Sequence, residues 1–260
     1  MPAQLDRHEQ LDRRQQLGIV CLHGLGGTPQ SIAPLTAALL QAGYTTTAPL
    51  LCGHGTTPAK LQGFGWQDWL RDVVRVARSL HAVHDRIVFV GQSMGATLAL
   101  AASLELPFIA GVAAINAPVL PPDPDATEHL EYLIERGRTM QPAGAANIRD
   151  PEAVDAAYDE LPLSSLLEMG SGTASVYAEL TSITIPIMVV SSDHDDVIDP
   201  ANSDALAALV SGRVHRLRLA NSAHVAALDL DRELLAQELL TWLVNLTDAS
   251  ASLPDESASS

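Results

Sequence analysis

The sequence predicts an α/β fold in which a mostly parallel central sheet is flanked by helices, and three observations lead there. Short apolar runs alternate along the chain with longer stretches of helical periodicity, the pattern of repeated βα units. Ile87-Val88-Phe89-Val90 runs straight into Gly91-Gln92-Ser93-Met94-Gly95 and then into Ala96-Thr97-Leu98-Ala99-Leu100-Ala101-Ala102, which reads as a buried strand, a tight turn and a helix with no linker between them. The 260 residues are 47% hydrophobic, enough to bury one large core in a single domain.

Taken in order, residues 1–16 are polar and charged and read as a solvated arm, with no apolar segment to suggest a signal peptide or an anchor. Leu17 to Leu22 is the first strand. It ends in His23-Gly24-Leu25-Gly26-Gly27, and a helix opens near Pro29 with Ile32, Leu35, Leu39 and Leu40 expected on one face. This glycine-rich loop is not the G-x-G-x-x-G string of a dinucleotide site, and no acidic residue follows the next strand, Thr45 to Ala48. His23 and His54, each beside glycine, are expected to fix loops by hydrogen bonding rather than to titrate in a reaction. Trp66, Trp69, Leu70, Val73, Val76, Ala77 and Leu80 recur at helical spacing and form a core-facing stripe.

The strand, turn and helix over 87–102 follow, then a buried strand from Ile109 to Ile115. Composition shifts over residues 118–180 towards Pro, acids and Ala, with helical patches near Thr127–Arg136 and Pro151–Tyr158 and no convincing strand. An insertion leaving the carboxyl end of a strand beside the Gly91–Gly95 turn is expected to form a small helical cap over the crevice there. The sheet resumes from Ile185 to Ser192, followed by a helix from Pro200 to Val210, a strand from Val214 to Leu219 and a last helix over about 231–246. In that helix Leu234, Leu235, Leu239, Trp242 and Leu243 are expected to face inward. The domain thus spans 17–246, and the Ser/Ala/Asp-rich stretch 247–260 is expected to be disordered.

A net charge of −16 and a pI near 4.7 argue against nucleic acid and against anionic membrane surfaces, and favour a neutral small-molecule substrate. Contact with a membrane or micelle is expected to be transient at most, and through the cap. The two cysteines, Cys21 and Cys52, are no disulfide framework, which points to a reducing compartment, the cytoplasm. No apolar run reaches the length of a membrane span. Asp193, Asp195, Asp196 and Asp199 cluster after a strand, but the glycine turn and the closing glutamate of a calcium loop are missing, so no metal is expected.

The chemistry-bearing order is Ser93, then an acid after a later strand, then His224 after the next. A serine on a strained strand-to-helix turn stands clear of the sheet, and the free N–H groups of the new helix point at whatever oxygen sits there. Ser93 needs a base, His224 needs a carboxylate to hold its tautomer, and Asp195 is assigned that place, although spacing alone would also admit Asp193 or Asp196.

The strings His23-Gly24-Leu25-Gly26-Gly27-Thr28, Gly43-Tyr44, Gly53-His54-Gly55-Thr56, Trp69-Leu70-Arg71-Asp72-Val73, Gly91-Gln92-Ser93-Met94-Gly95, Ile115-Asn116-Ala117 and Asn221-Ser222-Ala223-His224-Val225-Ala226 resemble those of the bacterial monoacylglycerol lipases and the related small-cap carboxylesterases. The resemblance covers about 18–243 and is weaker in the cap. It implies an α/β-hydrolase fold and a serine esterase without a cofactor, cleaving monoacylglycerols to fatty acid and glycerol. The alternative is a general short-chain carboxylesterase with no glycerol preference. By the same resemblance the backbone N–H groups of Leu25 and Met94 form the oxyanion hole, and Asp195, third in Asp193-His194-Asp195-Asp196, is the triad acid. In the cap, Asp159 takes the place of a glutamate that contacts the glycerol head group, one methylene shorter.

Overall fold

The computed structural model describes residues 16–144 and 147–250, and its centre is a parallel six-stranded sheet. In chain order the elements are β1 (Leu17–Leu22), α1 (Ala33–Gln41), β2 (Thr45–Thr47), α2 (Pro58–Leu61), α3 (Trp66–His81), β3 (Arg86–Gln92), α4 (Met94–Glu105), β4 (Ile109–Ile115), α5 (Pro124–Glu135), β5 (Met140–Pro142), β6 (Glu160–Pro162), α6 (Leu163–Glu179), β7 (Ile187–Ser192), α7 (Ala201–Leu209), β8 (Val214–Leu219) and α8 (Arg232–Ser250). The strand order is β2-β1-β3-β4-β7-β8, with every pairing parallel.

Because β2 lies outside β1 and β3 lies inside it, the chain reverses its direction of travel across the sheet between β1 and β3. The loops leaving neighbouring strands on either side of such a point part to opposite faces and open a crevice at the carboxyl ends. Here those loops are His23–Gly27 and the turn at Ser93. Pairing of Leu22 with Gly91, Gln92 with Ile115, Ile115 with Val190 and Ser192 with Leu219 brings the ends of five strands close to one level, so the loops after them converge at one edge.

The strands are apolar on both faces because helices cover both. Ile87 and Phe89 join Val20, Leu22, Trp69, Leu98 and Leu206 in one layer of the core. Val88 and Val90 point the other way and pack with Ile19, Cys21, Leu35, Leu39 and Trp242. Two expected core leucines do not take part: Leu40 is 53% exposed and Leu234 is 41% exposed. In the first case a 3₁₀ turn at Pro29–Ile32 precedes α1, so the buried stripe is Ile32, Leu35 and Leu39, with Leu40 a residue further round. In α8 the stripe of Leu235, Leu239, Trp242, Leu243 and Leu246 leaves Leu234 beside it.

The insertion differs from the sequence expectation in three ways. Met140–Pro142 and Glu160–Pro162 form a short antiparallel pair, too short to show a two-residue period. Leu163–Glu179 is a long helix that the composition had hidden. Pro151–Tyr158 is not helical, because its backbone groups are bonded elsewhere: Ala156 N–H donates to Gln30 Oε1 and Tyr158 N–H to the carbonyl of Gly26. Helix α6 is seated firmly. Glu168 accepts the Trp66 N–H at 3.0 Å, capping α3, and Gly172 lies flat against the Trp66 ring. By contrast, no residue of α5 is buried.

The final helix reaches Ser250, into the stretch 247–260 expected to be disordered. Residues 251–260 and, of the expected arm 1–16, residues 1–15 lie outside the described residues. No helix among the described residues is long and apolar enough to cross a membrane.

Candidate active site

Ser93 sits between β3 and α4 with φ 54° and ψ −124°, a conformation that costs about 1–3 kcal/mol and persists only when its surroundings enforce it. They do so here through close backbone packing. A Cβ on Gly91 would lie 2.4 Å from the carbonyl oxygen of Gly95, and one on Gly95 would lie 2.4 Å from that of Leu22. The Ser93 N–H is fixed by the carbonyl of Ile115 at 2.9 Å. Glycine is thus required on both sides of the serine so that β1, β3 and α4 can meet, and the hydroxyl is carried at the tip of the turn.

The structure separates the four clustered acids. Asp195 Oδ2 accepts from His224 Nδ1 at 2.8 Å, while its Oδ1 accepts the N–H groups of Val197 and Ile198, each at 2.9 Å. Asp193 is paired with Arg218, Asp196 with the amide of Asn147, and Asp199 accepts the Ala201 N–H at the start of α7. The alternatives Asp193 and Asp196 therefore do not touch the imidazole. With Nδ1–H donated to Asp195, the tautomer leaves Nε2 as the acceptor. His224 can then take a proton and be held as an imidazolium by a carboxylate only 3% exposed.

Ser93, His224, Leu25 and Met94 line one cavity of about 320 Å³. Met94 is the first residue of α4, so its N–H has no intrahelical acceptor. The loop bearing Leu25 is braced from below: His23 Nδ1–H donates to the Gly24 carbonyl, and His23 Nε2 accepts the Leu51 N–H at 3.2 Å. Burial holds His23 neutral, its pKa lowered to about 3, with the neighbouring His54 adding to the shift. His54 fixes its own loop through Nδ1, which lies 3.2 Å from the Cys52 carbonyl, so both histidines hold loops as expected. Asp159 also lines the cavity, on an exposed part of the cap. Among the described residues no cluster of His, Cys, Asp or Glu could hold a metal ion.

A family model described as serine aminopeptidase S33 matches residues 14–229. The chain belongs to this α/β-hydrolase family. The chain is 33% identical over 227 residues to the thermostable monoacylglycerol lipase of Bacillus sp. (strain H-257), covering 87% of this chain and 90% of that protein. It is 25% identical to the carboxylesterase of Bacillus subtilis (strain 168), covering 88% and 92%. Among solved structures, a metagenome-derived lipolytic enzyme superposes with a TM-score of 0.84 at 30% identity over 89% of this chain and 94% of that one. The monoacylglycerol lipase of Paleococcus ferrophilus, at 17% identity and a TM-score of 0.72 over 88% of this chain and 94% of that one, shares the fold.

In this S33-family hydrolase the fold also brings Asn116 and Asp155 to the site. Asn116, at φ 47°, donates from Nδ2 to the carbonyl of His224 at 2.9 Å and to Ser192 Oγ at 2.9 Å, tying three strand ends together. The string Ile115-Asn116-Ala117 was a signal, but nothing in it names the partners. Asp155 lines the cavity from the cap, and its Oδ1 is buried without a hydrogen-bond partner. Burial pushes its carboxyl above the usual range, against the pull of the Ala156 N–H and of His224. A buried, unpaired acceptor facing a cavity is costly unless something that enters the cavity can donate to it.

Proposed function

We propose that this hydrolase cleaves monoacylglycerols to fatty acid and glycerol through an acyl-enzyme on Ser93. The observation that carries this reading is the Asp195–His224 pair at 2.8 Å, facing the same cavity as a serine on a strained turn. The similarity to a monoacylglycerol lipase and a carboxylesterase supports the ester class. Ser93 Oγ attacks the ester carbonyl carbon as His224 Nε2 takes its proton, and the oxyanion accepts from Leu25 and Met94 N–H. Collapse expels the alcohol, which leaves with that proton. Water then attacks the acyl carbon, losing a proton to His224, and as the acyl–Oγ bond breaks that proton passes to Ser93 Oγ and the fatty acid departs. No step calls for a cofactor, and the free cysteines Cys21 and Cys52 suit a cytoplasmic setting.

The cavity suggests where each end of the substrate lies. Leu161, Leu166, Met169, Val197 and Ile198 make an apolar arm, and Leu166, Met169, Val197 and Ile198 also line an adjoining groove of about 400 Å³ floored by Leu120, Pro121 and Pro122. The acyl chain takes this arm. The alcohol end is read by the cap carboxylates, Asp159 at the exposed edge and Asp155 within. A hydroxyl donating to Asp155 Oδ1 supplies the partner which that atom lacks.

The test compares monoacylglycerols and ethyl esters of equal acyl length, with an aminoacyl arylamide as the peptidase control. Wild type is expected to prefer the glycerol esters and to spare the arylamide. Ser93→Ala should lose about 10⁴- to 10⁶-fold in turnover, and retention of a tenth of the activity would end the acyl-enzyme reading. Asp155→Ala should cost about ten- to a hundredfold in kcat/KM on glycerol esters and little on ethyl esters, from about 1–3 kcal/mol of lost pairing. Asp159→Ala read the same way decides whether the outer carboxylate shares the task. Equal rates on the two ester classes in wild type would leave a general carboxylesterase.

A further inference from the structure

We infer that Asn147, a residue of the cap, is a positioning residue for the Asp195–His224 pair, gripping the acid loop and the base loop with one side-chain oxygen. The inference rests on the catalytic reading of that pair given above. Asn147 Oδ1 accepts the backbone N–H of His224 at 2.8 Å and that of Asp196 at 3.2 Å. Its Nδ2 donates to Asp196 Oδ2 at 3.2 Å, and its own carbonyl accepts the Val225 N–H at 3.2 Å. One residue thus spans the residue after the acid and the base itself with its side chain, and the residue after the base with its main chain.

The grip is effective because Asn147 is itself anchored. The next residues are tied to the base loop through Asp229, a fully buried carboxylate that accepts the N–H groups of Arg149 and Asp150 and also that of Ala223. Arg149 reaches the Asn221 carbonyl at 3.0 Å, and Arg232 pairs with Asp150. On the other side, Asn116 Nδ2 holds the His224 carbonyl. The backbone of His224 is therefore held at its N–H by the cap and at its carbonyl by the sheet.

The acid loop has its own ties to the base loop, notably His194 N–H to the Ser222 carbonyl at 3.1 Å. That contact lies before Asp195, however, and Asn147 supplies the one after it. Two anchors flanking Asp195 set both the position and the tilt of its turn relative to the imidazole, and with one of them gone the turn can pivot. Small displacements of this kind in a catalytic array cost about a hundredfold in rate. Asn147 makes no hydrogen bond to either reacting side chain, and because it also lines the cavity, placement is told from substrate contact by the split between kcat and KM.

The test uses the full chain and p-nitrophenyl acetate, whose alcohol and acyl parts are too short to need the cap. Asn147→Ala is expected to lower kcat by about ten- to a hundredfold, with KM within about twofold of wild type. The downfield proton resonance of His224 Nδ1–H should move upfield or broaden. The reciprocal pair N147D with D196N exchanges carboxylate and amide, so the introduced carboxylate still accepts both N–H groups and the introduced amide donates back to it. It should recover most of the turnover and the resonance, whereas N147D alone sets two carboxylates face to face and should not. A fully active Asn147→Ala with an unshifted resonance overturns the inference. So does a raised KM at unchanged kcat, which marks a substrate contact, or an exchange no more active than N147D alone. If wild type showed no ester turnover, the function would be wrong, and the resonance would still decide the positioning claim.

Discussion

At the scale of single residues, the four acids after β7 show how proximity in sequence hides separate tasks. Each carboxylate has a different partner, and one oxygen reaches the imidazole. Asp195→Asn should therefore lower kcat on any ester by about 10⁴-fold, since an amide that donates where it should accept turns the histidine to the wrong tautomer. The Asn substitutions at Asp193 and Asp199 should leave most of the turnover, because the first is partnered with Arg218 and the second caps α7. Steady-state rates on the series decide it, and a dominant loss at Asp193 would mean that the imidazole turns to another acid in solution.

At the scale of elements, the cap is two bodies with different holds on the core. Helix α6 is keyed to α3 by the Glu168 contact to the Trp66 N–H and by the absence of a side chain at Gly172, where a Cβ would stand 2.0 Å from the indole. Helix α5 presents no buried residue. Gly172→Ala is a gain in helix propensity of about 1 kcal/mol, set against overpacking that typically costs about 1–3 kcal/mol and here is aimed at a ring only 4% exposed. The clash wins, so the variant should unfold at lower denaturant. Its kcat/KM for long-chain esters should fall more than for acetate, because α6 also carries Leu166 and Met169 into the acyl arm. Unchanged stability would mean that Trp66 can swing aside without loss.

At the scale of the whole molecule, buried histidines and paired carboxylates push stability in the same direction with pH. His23 is held neutral with its pKa lowered from 6.5 to about 3, so between these values the unfolded chain binds a proton that the folded chain refuses. Its contribution is present above pH 6.5 and is lost as pH falls towards 3, at a slope of up to about 1.4 kcal/mol per pH unit. Asp193 and Asp150, lowered chiefly by hydrogen bonds from Arg218 and Arg232, lose theirs as pH falls below the ordinary carboxylate range. Asp155, raised by burial, works the other way. Denaturant titrations from pH 7 to 4 should show falling stability, and His23→Gln should flatten that slope while lowering stability at pH 7. An unchanged slope would show that His23 is protonated within the fold.

What the chain determined by itself was local in sequence. The strand, turn and helix around Ser93, the apolar strands and the Ser–acid–His order are written in contiguous residues, because close packing at Gly91 and Gly95 and a two-sided sheet each demand particular residue types at short range. The boundaries of β4 and β8 were legible for the same reason. What only the tertiary structure decided was every choice between near neighbours: Asp195 over Asp193 or Asp196, Leu35 and Leu39 over Leu40, and the irregular course of 151–158. These depend on groups distant in sequence, such as the imidazole 29 residues on from Asp195, the Gln30 side chain and the Gly26 carbonyl. A carboxylate is selected by what lies within hydrogen-bond reach of it, and that distance exists once the loops after β7 and β8 have been brought level by the register of their strands.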